Sequence, residues 1–248
     1  MTSRLLIIPA AGAGSRLKTD LPKALVQVAG RTMLDRLASL YRPWVSHAVI
    51  VAHPSFARRL ERAHVFVSAE VVEQQRPTGM LDAILLAATA AERVRPDVIW
   101  ITWCDQVGVL PATLARFADV MQRESAALVM PTVMAPNPYV HLARNAEGRI
   151  TRVLHRREGD AMPESGESDM GLFGLRYETF ITDLPEYARA VPSGKATGER
   201  NFLPFIPWLA ARTPVVTFPC TDAMEAVGVN TPDDLRTVEA WLARRAAR

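Results

Sequence analysis

The chain is short of lysine, cysteine and long apolar runs, and each shortage excludes something. Only Lys18, Lys23 and Lys195 are lysines, so the formal charge of +3 comes almost wholly from arginine. Those arginines are scattered, as in Arg58-Arg59, Arg156-Arg157 and Arg244-Arg245, with no aromatic residues interleaved. That pattern reads as a solvated surface and not as a nucleic-acid groove. Cys104 and Cys220, the two cysteines, have no metal spacing and build no disulfide framework, so both are expected to be reduced. No apolar run approaches the roughly 18 residues of a membrane span, and no basic segment leads into an apolar core and a cleavage site. A cytoplasmic protein without a membrane partner is the expectation.

Catalytic motifs of several kinds are also missing. His47, His53, His64, His141 and His155 show no i, i+4 pairing, which argues against zinc. Ser15 and Ser168 lack the Gly-x-Ser-x-Gly elbow, which argues against a serine hydrolase. Internal repeats, heptads and low-complexity tracts are absent. The five tryptophans, Trp241 included, read as packing residues.

What is present begins at the N-terminus. Leu5-Leu6-Ile7-Ile8 suits a strand covered on both faces, and it runs into Pro9-Ala10-Ala11-Gly12-Ala13-Gly14-Ser15-Arg16-Leu17. The small residues let backbone N–H groups approach anionic oxygens, and Arg16 and Lys23 add fixed positive charge. In a chain that otherwise uses arginine, a lysine at position 23 points to a need for a compact ammonium. A dinucleotide fingerprint needs a third glycine at position 17, and a P-loop needs Gly-Lys-Ser/Thr before a helix. Leu17 and Ser15-Arg16 exclude both.

Ala-Ala-Gly-x-Gly-x-Arg-Leu followed by Pro22-Lys23 resembles the signature of the sugar-1-phosphate nucleotidyltransferases, above all the uridylyltransferase domain that makes UDP-N-acetylglucosamine. The resemblance implies a Rossmann-like α/β fold, a mostly parallel central sheet with helices on both faces and a small antiparallel insert. It also implies partners, a nucleoside triphosphate and a phosphorylated sugar, and Ala10, Ala11, Gly12 and Gly14 as nucleotide-binding residues. A single domain over residues 1–248 is expected, with an acceptor-pocket insert at 136–176 and the oligomeric state open. A family relative continues into a β-helical acetyltransferase, so a monofunctional enzyme is expected.

The alternation of patterns fits that fold. Strand-like runs at Leu5 to Ile8, Ala48 to Ala52, Val98 to Thr102 and Ala127 to Val133 are separated by helical patterns near 32–41, 55–63, 79–92 and 111–123. Short segments follow at Tyr139 to Arg144, Arg149 to His155 and Met170 to Leu175, around a polar stretch, Glu158 to Glu167, expected as a mobile loop. Helix returns from about Tyr177 and at 199–212, then a strand at Val215 to Pro219 and an amphipathic helix from Pro232.

In open parallel sheets ligands sit beyond the carboxyl ends of the strands. Asp105, just past the strand ending near Thr102, is the first candidate ligand for Mg²⁺, which is content with one or two protein oxygens plus phosphates and water. By resemblance, Asn230 in Gly228-Val229-Asn230 is the second, although Asn230 or Thr231 also suits the N-cap of a helix starting at Pro232. Asp222 and Glu225 are conceivable substitutes.

The stretch from Glu73 to Ala83 resembles the family's base-reading loop, in which Gln74 meets a pyrimidine and Gly79 lets the base lie against the backbone. An amide carries donor and acceptor together, so uracil, thymine and cytosine stay open. In the insert the resemblance places acceptor contacts at Tyr139, Val140, His155, Asp169 and Glu199. Several depart from the N-acetylglucosamine pattern: Tyr-Gly becomes Tyr139-Val140, a glutamate becomes His155 and an asparagine becomes Asp169. That sugar is therefore doubtful as acceptor. A cytidylyltransferase for a non-sugar phosphate, a glycosyltransferase and a non-catalytic nucleotide-binding regulator are the rivals. The glycosyltransferase is weakened by Gln106-Val107 where Asp-x-Asp would be needed.

Overall fold

Leu5 to Ile8 are fully buried, and alternate residues of this run face opposite cores. The computed structural model describes residues 2–12, 14–63 and 66–247, so Ala13 of the phosphate loop and His64 lie outside the described residues. In chain order the strands are β1 (Arg4–Pro9), β2 (Gln27–Val28), β3 (Arg31–Thr32), β4 (His47–Ala52), β5 (Ala69–Glu73), β6 (Val98–Thr102), β7 (Leu128–Pro136), β8 (Val140–Arg144), β9 (Ile150–His155), β10 (Ser165–Asp169), β11 (Leu172–Arg176) and β12 (Val215–Pro219). The helices are α1 (Met33–Tyr41), α2 (Pro54–Glu61), α3 (Met80–Leu85), α4 (Ala88–Val94), α5 (Pro111–Arg123), α6 (Leu184–Ala190), α7 (Phe205–Ala210) and α8 (Pro232–Ala246).

The main sheet has eight strands in the order β10-β7-β11-β6-β1-β4-β5, with β12 on the other edge of β7. β1, β4, β5 and β6 run parallel, as do β7 and β12, while β10 and β11 run against their neighbours. Leu6, Ile8, Ile50 and Trp100 pack against α1, α5 and α8 through Leu34, Leu37, Tyr41, Phe117 and Val238. On the opposite face Leu5, Ile7, Val49 and Ile101 meet α3, α6 and α7 through Leu81, Ile84, Leu184, Phe205 and Leu209. Each such side chain contributes roughly 1.5–3 kcal/mol by leaving water, and together they hold the strand ends from which the site is built. This is the Rossmann-like architecture with helices on both faces that the motif implies.

The helix starts follow local chemistry. Thr32 and Asp35 form a capping box at α1, and Thr231 and Asp234 form another at α8, where Pro232 occupies the first turn. Among the described residues, no helix is long and apolar enough to cross a membrane.

Three expectations need correction. The pattern at 79–92 makes two short helices, α3 and α4, and the one at 199–212 shrinks to α7. The helix expected from about Tyr177 is present and runs through a wide turn over Thr179–Asp183 into α6. The polar stretch is not a free loop: Arg156–Glu158 form a turn and Ser165–Asp169 become β10, paired with β7. Within residues 136–176, β8 and β9 make their own hairpin while β10 and β11 join the main sheet. A bidentate Arg144–Glu167 pair (2.6 and 2.7 Å) ties hairpin to β10.

Candidate active site

The small-residue loop after β1 leaves the sheet in register, since Ala10 N–H still donates to the Val51 carbonyl near the end of β4 (2.7 Å). Ala10 is buried, Ala11 half-buried and Gly12 exposed, so the loop rises from core to surface within three residues. Gly14 has φ +64°, and a Cβ there would lie 3.3 Å from Lys23 Cβ. Glycine therefore lets the Lys23 segment pack directly on the loop.

Asp105 follows β6 by three residues, and its carbonyl accepts from Val229 N–H (3.1 Å), which brings the C-terminal Gly-Val-Asn segment beside it. Asn230 donates from Nδ2 to the Gly228 carbonyl (3.2 Å), which turns its Oδ1 outward. Lys23 Nζ donates to that Oδ1 at 2.7 Å and also to Asp105 Oδ2, and Arg16 Nη2 reaches the same Asn230 oxygen at 2.8 Å. Four residues from three distant parts of the chain thus form one hydrogen-bonded cluster. Lys23 and Asp105 are only 12% and 13% exposed, and two cations face one carboxylate, a balance that attracts an anion.

The helix-capping reading of this turn is satisfied by Thr231, whose N–H and hydroxyl pair with Asp234, leaving the Asn230 side chain to the cluster. Asp105 does not cap α5, whose cap position is Leu110. Asp222 accepts from Met224 N–H and Trp241 Nε1, and Glu225 from Leu110 N–H, so both carboxylates support the fold. Among the described residues no group of three or more His, Cys, Asp or Glu could hold a metal.

Asp169 ends β10, accepts from Gly171 N–H (2.8 Å) and lies within electrostatic reach of Asp105. Burial pushes its carboxyl up to about 6, with the Asp105 charge adding to that and backbone N–H bonds opposing it. A carboxyl raised on folding binds its proton more tightly in the folded chain. Stability from this group is therefore full below about pH 4 and falls as the pH climbs to about 6. Asp169→Asn, which keeps an oxygen for Gly171, is expected to raise the thermal midpoint at about pH 7 and leave it unchanged at about pH 4. Equal shifts at both values would remove the titration from the account.

Gln74 and Gly79 are brought together. Gln74 follows β5, is 6% exposed and donates from Nε2 to the Gly79 carbonyl (3.2 Å), which leaves Oε1 as the group it can present. Gly79, at φ +123°, meets the backbone of Arg200. The other acceptor candidates are less free than the resemblance implies. Val140 is buried in the core with Leu142 and Ile150, and Glu199 is held by both nitrogens of Arg157 (3.1 Å each). Tyr139 is half exposed and meets His155 edge-on, while His155 Nδ1 is buried without a hydrogen-bond partner among the described residues and burial lowers the ring's pKa. The sequence reading missed Arg157, Asp82 and Arg200, whose partners are remote in the chain.

Residues 6–167 match the model of the MobA-like NTP transferase domain, well over half the chain. The chain belongs to that family. This MobA-like domain is 28% identical over 242 residues to the bifunctional protein GlmU of Ruegeria sp. (strain TM1040), covering 96% of this chain and 52% of that protein. It is 26% identical over 249 residues to bifunctional protein GlmU of Nitrosococcus oceani, covering 98% and 52%. It thus spans about half the length of the curated relatives it matches. The crystal structure of HddC from Yersinia pseudotuberculosis shares the fold, with a TM-score of 0.68 over 98% of this chain and 100% of that one at 17% identity. The motif resemblance to sugar-1-phosphate nucleotidyltransferases is supported by these matches.

Proposed function

We propose that the domain transfers a nucleoside monophosphate from a nucleoside triphosphate, a pyrimidine one such as UTP, to a sugar-1-phosphate with release of pyrophosphate. The observation that carries this reading is the convergence of Arg16 and Lys23 on Asp105 and Asn230 beyond the ends of β1 and β6. An oxygen of the acceptor phosphate forms a bond to the α-phosphorus while the bond to the oxygen bridging the β-phosphorus breaks, and pyrophosphate departs with that electron pair. The acceptor phosphate is already ionised near neutral pH, so no general base is needed. Arg16 and the loop N–H groups hold the β- and γ-phosphates, and Lys23 neutralises charge as it moves onto the leaving group. Alignment of two bound reactants can contribute up to roughly 7–11 kcal/mol.

Asp105 Oδ2 and Asn230 Oδ1 both accept from the single ammonium of Lys23, so two oxygens already converge on one positive centre. That donor set fits Mg²⁺: Asp105 and Asn230 would hold the ion, and when bound it would supply charge neutralisation. Gln74 Oε1 would accept from a donor on the base edge.

One observation favours a second acceptor class. Glu199, expected among the acceptor contacts, has both oxygens paired with Arg157, which favours the alternative of a non-sugar phosphate as acceptor. Magnesium-dependent pyrophosphate release, with UTP, CTP, dTTP, ATP and GTP each crossed against glucose-, N-acetylglucosamine-, galactose- and mannose-1-phosphate, decides. Release with one pair is expected. Binding of a triphosphate without release from any sugar phosphate would sink the sugar reading and leave the non-sugar acceptor or a regulatory role.

A further inference from the structure

The segment between α6 and α7 crosses from the insert to the base-reading loop, and its polar groups are committed at both ends. On the insert side Glu158 accepts from Ala196 N–H (3.0 Å), the Thr197 hydroxyl (2.6 Å) and the Asn201 amide (3.4 Å), while Arg157 holds Glu199. On the nucleotide side Arg200 N–H donates to the Thr78 carbonyl (2.8 Å) and the Arg200 carbonyl accepts from Leu81 N–H (3.1 Å). The Arg200 guanidinium pairs with Asp82 and donates to the Ala188 carbonyl (2.6 Å). Gly79 sits between those backbone bonds, and its carbonyl is the one that orients the Gln74 amide. The segment 194–201 is therefore a strap with one end on each substrate side.

We propose that Arg200 is a positioning residue for nucleotide selection, holding residues 78–82 through Thr78, Leu81 and Asp82 so that Gly79 fixes which end of the Gln74 amide meets the base. This rests on the nucleotidyl-transfer reading above and deepens it. Arg200 acts through the loop, so its loss relaxes base discrimination and leaves phosphate binding alone. The Arg200–Asp82 pair also lines a cavity of about 490 Å³ with Gln74, Thr78 and Leu86. Their side chains are 34% and 18% exposed, so removing one partner does not strand a charge in a dry core.

The test is calorimetric binding of UTP, CTP, dTTP, ATP, GTP and inorganic tripolyphosphate to the wild-type chain and to Arg200→Ala, Asp82→Asn and Arg157→Ala. Binding does not depend on which acceptor the domain uses, so failure to release pyrophosphate with any acceptor tests the activity separately. Arg200→Ala keeps the backbone bonds to Thr78 and Leu81 and removes the guanidinium's contacts with Asp82 and Ala188. The Kd of the preferred triphosphate is therefore expected to rise about tenfold and its advantage over the next to shrink by a similar factor, as coupling within one ion-pair network allows. Tripolyphosphate affinity stays at its wild-type value. Asp82→Asn, which keeps size and an acceptor oxygen, moves both quantities the same way to a smaller extent and carries the test if Arg200→Ala does not fold. Arg157→Ala, at the insert end, leaves base discrimination unchanged. Unchanged discrimination in both Arg200→Ala and Asp82→Asn, a wild-type chain that does not discriminate between bases, or an equal loss of tripolyphosphate affinity would each overturn the proposal.

Discussion

Lys23→Ala is expected to lower turnover at least about a hundredfold while the chain still folds, the scale on which loss of one preorganised charge donor is felt. Lys23 Nζ bridges Asp105 and Asn230, so its removal takes away a positive charge and leaves the two oxygens without their common partner. Folding survives because the turn around Lys23 rests on backbone bonds, Leu25 N–H to Pro22 and Val26 N–H to Lys23, and on buried Ala24 and Val26. Lys23→Arg is a poor replacement, since a planar fork does not occupy the place of a compact ammonium between two oxygens. Asp105→Ala is expected to cost a similar factor by a different route, since it removes the carboxylate that pairs with Lys23 and would hold Mg²⁺. Pyrophosphate release by the two alanine variants, with far-ultraviolet circular dichroism as the folding control, checks both. A near-normal rate from either variant removes that residue from the mechanism.

The half of this site that lies in contiguous motifs was legible in the sequence. β1, the small-residue loop, Arg16 and Lys23 fall within twenty residues, and Asp105 was found because the exit of a parallel strand is where a ligand group is useful. Asn230 needed the family resemblance, because Thr231 next to it supplies an adequate bland reason for the same turn. β5 escaped notice because Ala69-Glu70-Val71-Val72-Glu73 is an edge strand with glutamates on it, and its residues are only partly buried. β10 escaped for the same reason, as Ser165-Gly166-Glu167-Ser168-Asp169 offers no apolar alternation and is recruited by pairing with β7. The pairs that tie the strap down, Arg157–Glu199 and Arg200–Asp82, join residues 42 and 118 positions apart, a relation no local pattern encodes.

Gly79→Ala should cost about 3 kcal/mol of folding stability, a large loss for a single methyl group, because two independent penalties coincide there. At φ +123° and ψ 172° the backbone occupies a region open in practice to glycine alone. A Cβ would fall 2.5 Å from Arg200 N and 2.9 Å from Arg200 C, and that backbone cannot step aside while Thr78 and Leu81 hold it. Either the strap detaches or residues 78–81 rearrange, and in both cases Gln74 loses the carbonyl that orients it. Gly198→Ala separates the two penalties, since Gly198 also has positive φ (+68°) but nothing among the described residues lies within 4 Å of its Cβ position. That variant carries the conformational cost alone, about 1 kcal/mol. Urea denaturation of both variants reads the difference directly. A loss for Gly79→Ala no larger than that for Gly198→Ala would mean that Arg200 does not press on the loop in solution, and the loop would then owe its shape to residues 74–79 themselves.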